Sequence, residues 1–327
     1  MRRGPSGAGQ RRPSRPGRPS AAAALLTAVA LLGTACDASP GQSRAAAPER
    51  ELIPVDFDAD SAHALIAHQV AFGPRVPGTA GHAAQLEWMV ETLRGYADTV
   101  EVRRFTHAAR SGDSVEMANV FARFRPEARD RILLVAHWDT RPIAEEDPDA
   151  ERRGEPIPGA NDGGSGVAVL MEIARVLSSH SPPLGVDLLF TDGEDYGPGE
   201  MYLGATHFAA NLPPGYRPLY GILVDLVADR SPVFPVEAQS EHYAPEVVDL
   251  VYRTAREIGM GAYFPETVGQ SIDDDHIPLN QAGIRTIDII DLDFPQWHTT
   301  ADTFENTSPE GLEAVGEVLT QLILSGG

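Results

Sequence analysis

Two kinds of apolar spacing alternate along the chain. Around residues 60–71, Leu65, Ile66 and Val70 share one helical face, with Asp60 or Ser61 as the cap. A turn-rich stretch from Phe72 to Thr79 follows. Thr79 caps a second helix reaching Tyr96, with Leu86, Met89, Val90 and Leu93 at helical spacing. Val100–Phe105 and Met117–Phe124 read as strands. Arg131–Ala136, Val186–Thr191 and Leu219–Val224 are short, nearly continuous apolar runs, the signature of strands buried on both faces. Helices are predicted over 165–179, 244–258 and 308–324, and a further strand over Thr286–Ile290. Strands alternating with helices imply a mainly parallel sheet covered on both faces. Arg141–Pro158 is charged and proline-rich and reads as a loop, with only its composition to suggest a lid.

Composition narrows the class. With 327 residues, 42% hydrophobic and 22% charged, the chain suits one large α/β domain. Acidic residues number 47 against 26 basic, and every basic one is arginine. Six of those arginines precede residue 20, so the remainder is more acidic than the net −21 indicates. Such a surface repels nucleic acid and anionic membranes, which excludes both as partners. The arginine-rich start, the apolar run Ala21–Leu32 and the small residues before Cys36 describe an export signal. Cys36, the only cysteine, stands where a bacterial lipoprotein is processed. Gly33 departs from the leucine usual three residues before it. The expected organisation is an export signal over 1–36, a tether over 37–55 and one catalytic domain over 56–327. The location is then a periplasmic or cell-envelope lipoprotein, touching membrane only through a lipid on Cys36, or alternatively a secreted protein.

The chemistry gathers where the buried strands end. In such sheets, ligands and catalysts sit beyond the carboxyl ends of the strands. The first central strand runs into His137-Trp138-Asp139, the second into Asp192-Gly193-Glu194-Asp195 and the third into Asp225. A glycine-rich loop carries Asn161-Asp162 before a helix, and His298 lies near the C-terminus. Singly, Asp162 reads as a loop aspartate, His298 as a satisfied histidine, and Asp273–Asp275 as an exposed acidic turn. Together, histidine and carboxylates at strand ends suit zinc, which leaves an open position in catalytic sites. Asp139 is placed to orient a ligand. One of the adjacent Glu194 and Asp195 can bind metal while the other moves protons.

From Phe72 to the C-terminus, these motifs resemble metallopeptidase family 28, the zinc aminopeptidases, and their relatives the glutaminyl cyclases. The resemblance implies a zinc-aminopeptidase-like fold, a three-layer α/β sandwich with a central mixed, mostly parallel twisted sheet and helices on both faces. It implies that Asp162, Asp195 and His298 bind a catalytic zinc and that Glu194 is the general acid/base. Glutamate is common where Asp195 stands, and the shorter side chain reduces its reach. In aminopeptidases Asp162 bridges two zinc ions, and His137 with Asp225 holds the second.

Asp274-Asp275-His276-Ile277-Pro278 and Phe294-Pro295-Gln296-Trp297-His298 resemble the cyclase branch. On that reading one zinc suffices, and the substrate is the N-terminus of a peptide or protein. Its N-terminal glutamine closes to pyroglutamate with loss of ammonia. Asp225 and Asp275 form a carboxylate pair near Glu194, while Trp297 and Phe294 wall the substrate pocket. The alternative is a two-zinc aminopeptidase hydrolysing the first peptide bond. A third reading is a binding module that has lost its chemistry, although such modules lack metal or base residues that this chain retains.

Overall fold

In the computed structural model, residues 52–54 and 56–327 are described. The export-signal and lipid-anchor readings over 1–36, and most of the 37–55 tether, lie outside them. Within the described chain, Ile53 N donates to Gln321 Oε1 at 3.2 Å, which ties the last residues before the domain to its final helix.

The chain enters through α1 (Ala59–Val70). Its cap is Asp58 rather than Asp60 or Ser61, because the Asp58 carboxylate accepts from Ser61 N at 3.0 Å. Helix α2 (Ala80–Arg94) has Thr79 as its cap and buries Leu86, Met89, Val90 and Leu93. A hairpin of β1 (Thr99–Ala108) and β2 (Ser114–Phe124) leads to the first central strand, β3 (Arg131–His137). Next come α3 (Ser165–Ser179), β4 (Gly185–Thr191), α4 (Leu203–Ala210) and β5 (Gly221–Asp225). The chain closes with α5 (Ala238–Tyr243), α6 (Pro245–Glu257), α7 (His276–Gln281), β6 (Thr286–Ile290) and α8 (Pro309–Ser325).

The strands form one sheet in the order β1-β2-β4-β3-β5-β6. The β1–β2 and β2–β4 pairs are antiparallel and the other three pairs are parallel. Side chains alternate across the sheet. Ile132, Leu134 and Ala136 of β3 pack into the larger core with residues of α1, α2, α3, α6 and α8. Leu133 and Val135 face the other way, against Phe208 of α4 and Leu279 of α7. Burial on both faces is why β3, β4 and β5 lack polar alternation. Helix α3 lies against β3, α1 and α8. It buries even Glu172, whose Oε1 accepts from Asp58 N at 3.0 Å and from Arg175. Because β3, β4 and β5 run parallel, their carboxyl ends meet at one edge of the sheet, and His137 is level with Thr191.

Candidate active site

The sheet edge brings the strand-end residues together. His137 closes β3, Asp225 closes β5, and Glu194 and Asp195 follow β4 after a tight turn at Gly193. Asp162 comes from the loop before α3 and His298 from the loop before α8. These side chains form two groups that share Asp162. One is Asp162, Asp195 and His298; the other is His137, Asp162 and Asp225. In each, one donor atom per residue lies within 4.8 Å of the others. All five residues are buried.

The two groups differ in how their atoms are satisfied. His298 Nε2 stands 3.6 Å from Asp162 Oδ2 and 3.6 Å from Asp195 Oδ2, too far for a good hydrogen bond. Two donors about 2.1 Å from a tetrahedral zinc lie about 3.4 Å apart, close to this spacing. Asp195 Oδ1 accepts from Arg141, while its Oδ2 is buried without a partner. One histidine and two carboxylates, with an orphaned oxygen among them, fit a zinc ion. In the second group His137 Nε2 already lies 3.1 Å from Asp225 Oδ1 in a hydrogen bond, and 3.3 Å from Asp162 Oδ1.

A small cavity opens onto the first group. Asp162, Glu194, Asp195, Asp225, Asp273, Asp274 and His298 form its polar side. Met201, Leu226, Ile272, Ile290, Leu292 and Trp297 form the apolar side. Trp297 stacks on His298 with ring centroids 3.8 Å apart. Phe294 does not line the cavity as the sequence led one to expect. It is buried behind the wall, packed with Leu226 and Ile290. A larger groove of about 830 Å³ lies between α2 and the β1–β2 hairpin, but neither metal-type group is in it.

Crowding of acids sets the protonation. Burial first, then Asp274 and Asp195, holds the Glu194 carboxyl well above the usual range. Asp274 is raised by burial and then by Asp225 and Asp275. Burial disfavours charge on His137, yet Asp225, Asp139 and Glu194 outweigh it and raise its pKa.

The sequence expectation paired Asp225 with Asp275. The structure places Asp274, not Asp275, on the cavity wall. Asp275 is wholly buried at the start of α7, where its Oδ2 accepts from the Thr191 hydroxyl. The acidic turn expected to be exposed is thus buried at both of these positions. Residue 273 alone is exposed.

Backbone anchors hold the polar side. Asp139 accepts from Glu194 N at 3.1 Å and Asp195 N at 3.2 Å, so it orients the peptide that carries both residues. Asp302 does the same for the neighbouring loop, accepting from Asn161 N at 2.8 Å and Asp162 N at 3.1 Å. Fully buried Arg75 donates to the Pro158 and Gly159 carbonyls. Gly163 has φ +77°, and a Cβ there would collide with the Asp139 carbonyl oxygen. Only glycine lets this loop approach β3 so closely. Asp288 on β6 is buried with both carboxylate oxygens unpartnered. Burial, then Asp274 and Asp225, raises its pKa well above the usual range. Sequence reasoning gave no role to Arg75, Asp288 and Asp302, and it quoted Asp274 only within the cyclase-like segment while choosing Asp275 for the carboxylate pair. The signal for Asp302 was its place four residues after His298.

The mixed sheet and the acid-lined edge define an α/β fold of the zinc-aminopeptidase type. A profile described as peptidase family M28 matches residues 119–323, more than half of the chain, and the chain belongs to that family. Among solved structures, a glutaminyl cyclase from Bacteroides thetaiotaomicron is 37% identical with a TM-score of 0.80. It covers 84% of this chain and 99% of its own. A Zn-dependent exopeptidase from Parabacteroides distasonis is 39% identical, also with a TM-score of 0.80. It covers 83% of this chain and 99% of its own. The glutaminyl-peptide cyclotransferase of Bos taurus is 26% identical over 293 residues, 76% of this chain and 78% of that protein.

Proposed function

We propose that the protein is a zinc-dependent glutaminyl-peptide cyclotransferase. The observation that carries this reading is the unequal state of the two metal-type groups. Asp162, Asp195 and His298 leave an oxygen orphaned and are spaced for one ion, while His137 and Asp225 bond to each other. One zinc suits cyclisation, in which the nucleophile is the substrate's own amine and no metal-bound water is needed.

A zinc held by Asp162, Asp195 and His298 supplies Lewis acidity toward the γ-carbonyl of an N-terminal glutamine. Glu194, its pKa raised by burial and by the neighbouring acids Asp274 and Asp195, takes a proton from the α-amine as that nitrogen bonds to the γ-carbonyl carbon. It returns the proton to the amide nitrogen as the carbon–nitrogen bond breaks and ammonia leaves. Asp274 and Asp225 form the carboxylate pair beside Glu194, sharing protons and holding the amine. Trp297 and the apolar wall pack the glutamine methylenes and exclude water.

The second reading is a two-zinc aminopeptidase. It is favoured by one observation: His137, Asp162 and Asp225 also have donor atoms within 4.8 Å of one another. Incubating the zinc-loaded domain with one peptide beginning Gln and one beginning Leu separates the two. Loss of one ammonia from the Gln peptide alone, faster than in an enzyme-free control, supports the cyclase. Removal of the first residue from the Leu peptide overturns it and makes His137 and Asp225 metal ligands. Export with a lipid on Cys36 rests on the sequence alone. A Cys36→Ala chain that stays in the membrane fraction would refute it.

A further inference from the structure

The segment leaving β3 reads in the sequence as a charged loop, yet its first residues contact two of the candidate ligands, Asp195 and His298, at three points, and the neighbouring Thr300. Buried Arg141 donates from Nη1 to Asp195 Oδ1 and from Nε to Glu145 Oε1 at 2.7 Å. The same Glu145 oxygen stands 3.3 Å from His298 Nδ1, within ion-pair distance but off hydrogen-bond geometry, and that buried nitrogen has no hydrogen-bond partner. Glu146 N donates to the His298 carbonyl oxygen at 3.3 Å. The Asp147 carboxylate accepts from Thr300 N at 2.9 Å and from the Thr300 hydroxyl.

His298 requires such a grip. Its φ is +52°, a left-handed backbone that any residue with a Cβ adopts at a cost and keeps only when its surroundings hold it there. Asp195 is shorter than glutamate, so the direction of its carboxylate decides whether an oxygen reaches the ion. Arg141 takes one oxygen and leaves Oδ2 facing His298 Nε2 at 3.6 Å. A buried cation here is tolerated because the carboxylates of Asp195 and Glu145 both accept from it.

We propose that Arg141 and Glu145 are positioning residues of the metal site. Arg141 makes Asp195 a one-oxygen ligand by occupying Oδ1. Glu145 holds the imidazole through Nδ1 so that Nε2 points at the ion. The strap 141–147 thereby orients two of the three ligands from outside the cavity. This rests on the reading of Asp162, Asp195 and His298 as zinc ligands, not on the choice between cyclase and peptidase.

The test is zinc affinity, measured without any peptide by competition with a chromogenic chelator, beside the melting temperature of the metal-free protein. Glu145→Ala lowers affinity about 10- to 100-fold, the usual cost of losing an outer partner of a metal ligand. Glu145→Gln, which keeps an acceptor oxygen, recovers most of it. Arg141→Lys loses affinity, because an ammonium cannot fork between two carboxylates. A purely structural role would instead lower metal-free melting and leave zinc affinity in step among the folded variants. Should Arg141 variants fail to fold, the half-buried Glu145 pair decides alone. Wild type that binds zinc while Glu145→Ala binds within twofold of it overturns the positioning role only. Wild type that binds no zinc overturns the ligand reading as well.

Discussion

Asp274 and Asp275 are identical neighbours that the fold treats differently. Asp274 faces the cavity with Glu194 and Asp225. Asp275 lies beneath it, bonded to the Thr191 hydroxyl, with its pKa pushed up to about 7 by burial. Removing the cavity carboxylate should therefore affect turnover, and removing the inner one should affect stability. Glu194→Gln is expected to lower kcat about 10²- to 10⁴-fold with zinc still bound, the range for losing a general acid/base. Asp274→Asn should lower kcat of the folded protein at least about 10-fold, because it removes a proton partner of Glu194. Asp275→Asn should lower the melting temperature while the folded fraction turns over near the wild-type rate. Steady-state kinetics paired with thermal melts check all three. If Asp275→Asn loses turnover and Asp274→Asn does not, the assignment made here is reversed.

At the scale of elements, the loop between β3 and α3 depends on close backbone approach. Gly163 combines a positive φ with a blocked Cβ direction, whereas Gly112 has φ +94° and open space around it. Gly112→Ala should cost about 1 kcal/mol, the left-handed penalty alone. Gly163→Ala should cost about 1–3 kcal/mol more, because Asp162 or β3 must move as well. Urea unfolding of both variants measures the difference, and equal losses would remove the collision from the argument.

The central strands were legible because burial on both faces makes them nearly continuous apolar runs, as Ile132–Ala136 of β3 illustrates. Helices α4, α5 and α7 were not, since six to eight residues carry too little periodicity. His137, Glu194, Asp195 and Asp225 were legible because each stands at or just beyond the end of a buried strand, whereas Asp162 and His298 lie in loops and stood out only through the motifs around them. Asp274 was misjudged because three consecutive acids look solvated, and nothing local reports that α7 buries the last two. Arg75, Arg141 and Glu145 were missed for a similar reason. Each is a charged residue in a loop, and only tertiary packing gives it a partner.

The whole molecule carries an unusual load of buried acid, and its stability should follow pH accordingly. Asp192 and Asp291 are raised to about 6, and Asp275 and Asp302 to about 7, in each case first by burial. Glu194, Asp195, Asp274 and Asp288 are raised well above the carboxylate range. Between the unfolded value near 4 and these folded values, the folded protein holds protons that the unfolded chain has released. Stability must then fall as pH rises through that window. His137, raised above 6.5, acts in the same direction, since its contribution is complete below 6.5 and is lost above its folded pKa. Glu145 and Glu237, lowered to about 2, act oppositely. They stabilise above about 4.5 and lose that contribution as pH falls toward 2. A net charge of −21 adds self-repulsion at high pH. The metal-free protein should therefore melt highest near pH 5 and progressively lower toward pH 8. Zinc binds only deprotonated ligands, so its stabilisation grows with pH. At a hundredfold excess over Kd it adds about 2.7 kcal/mol and moves the optimum upward. Melting temperatures from pH 4 to 9, with zinc and with chelator, test both halves of this argument. A chelated protein that is as stable at pH 8 as at pH 5 would mean that the buried carboxyls ionise without penalty, and the protonation scheme drawn for Glu194 would fall with it.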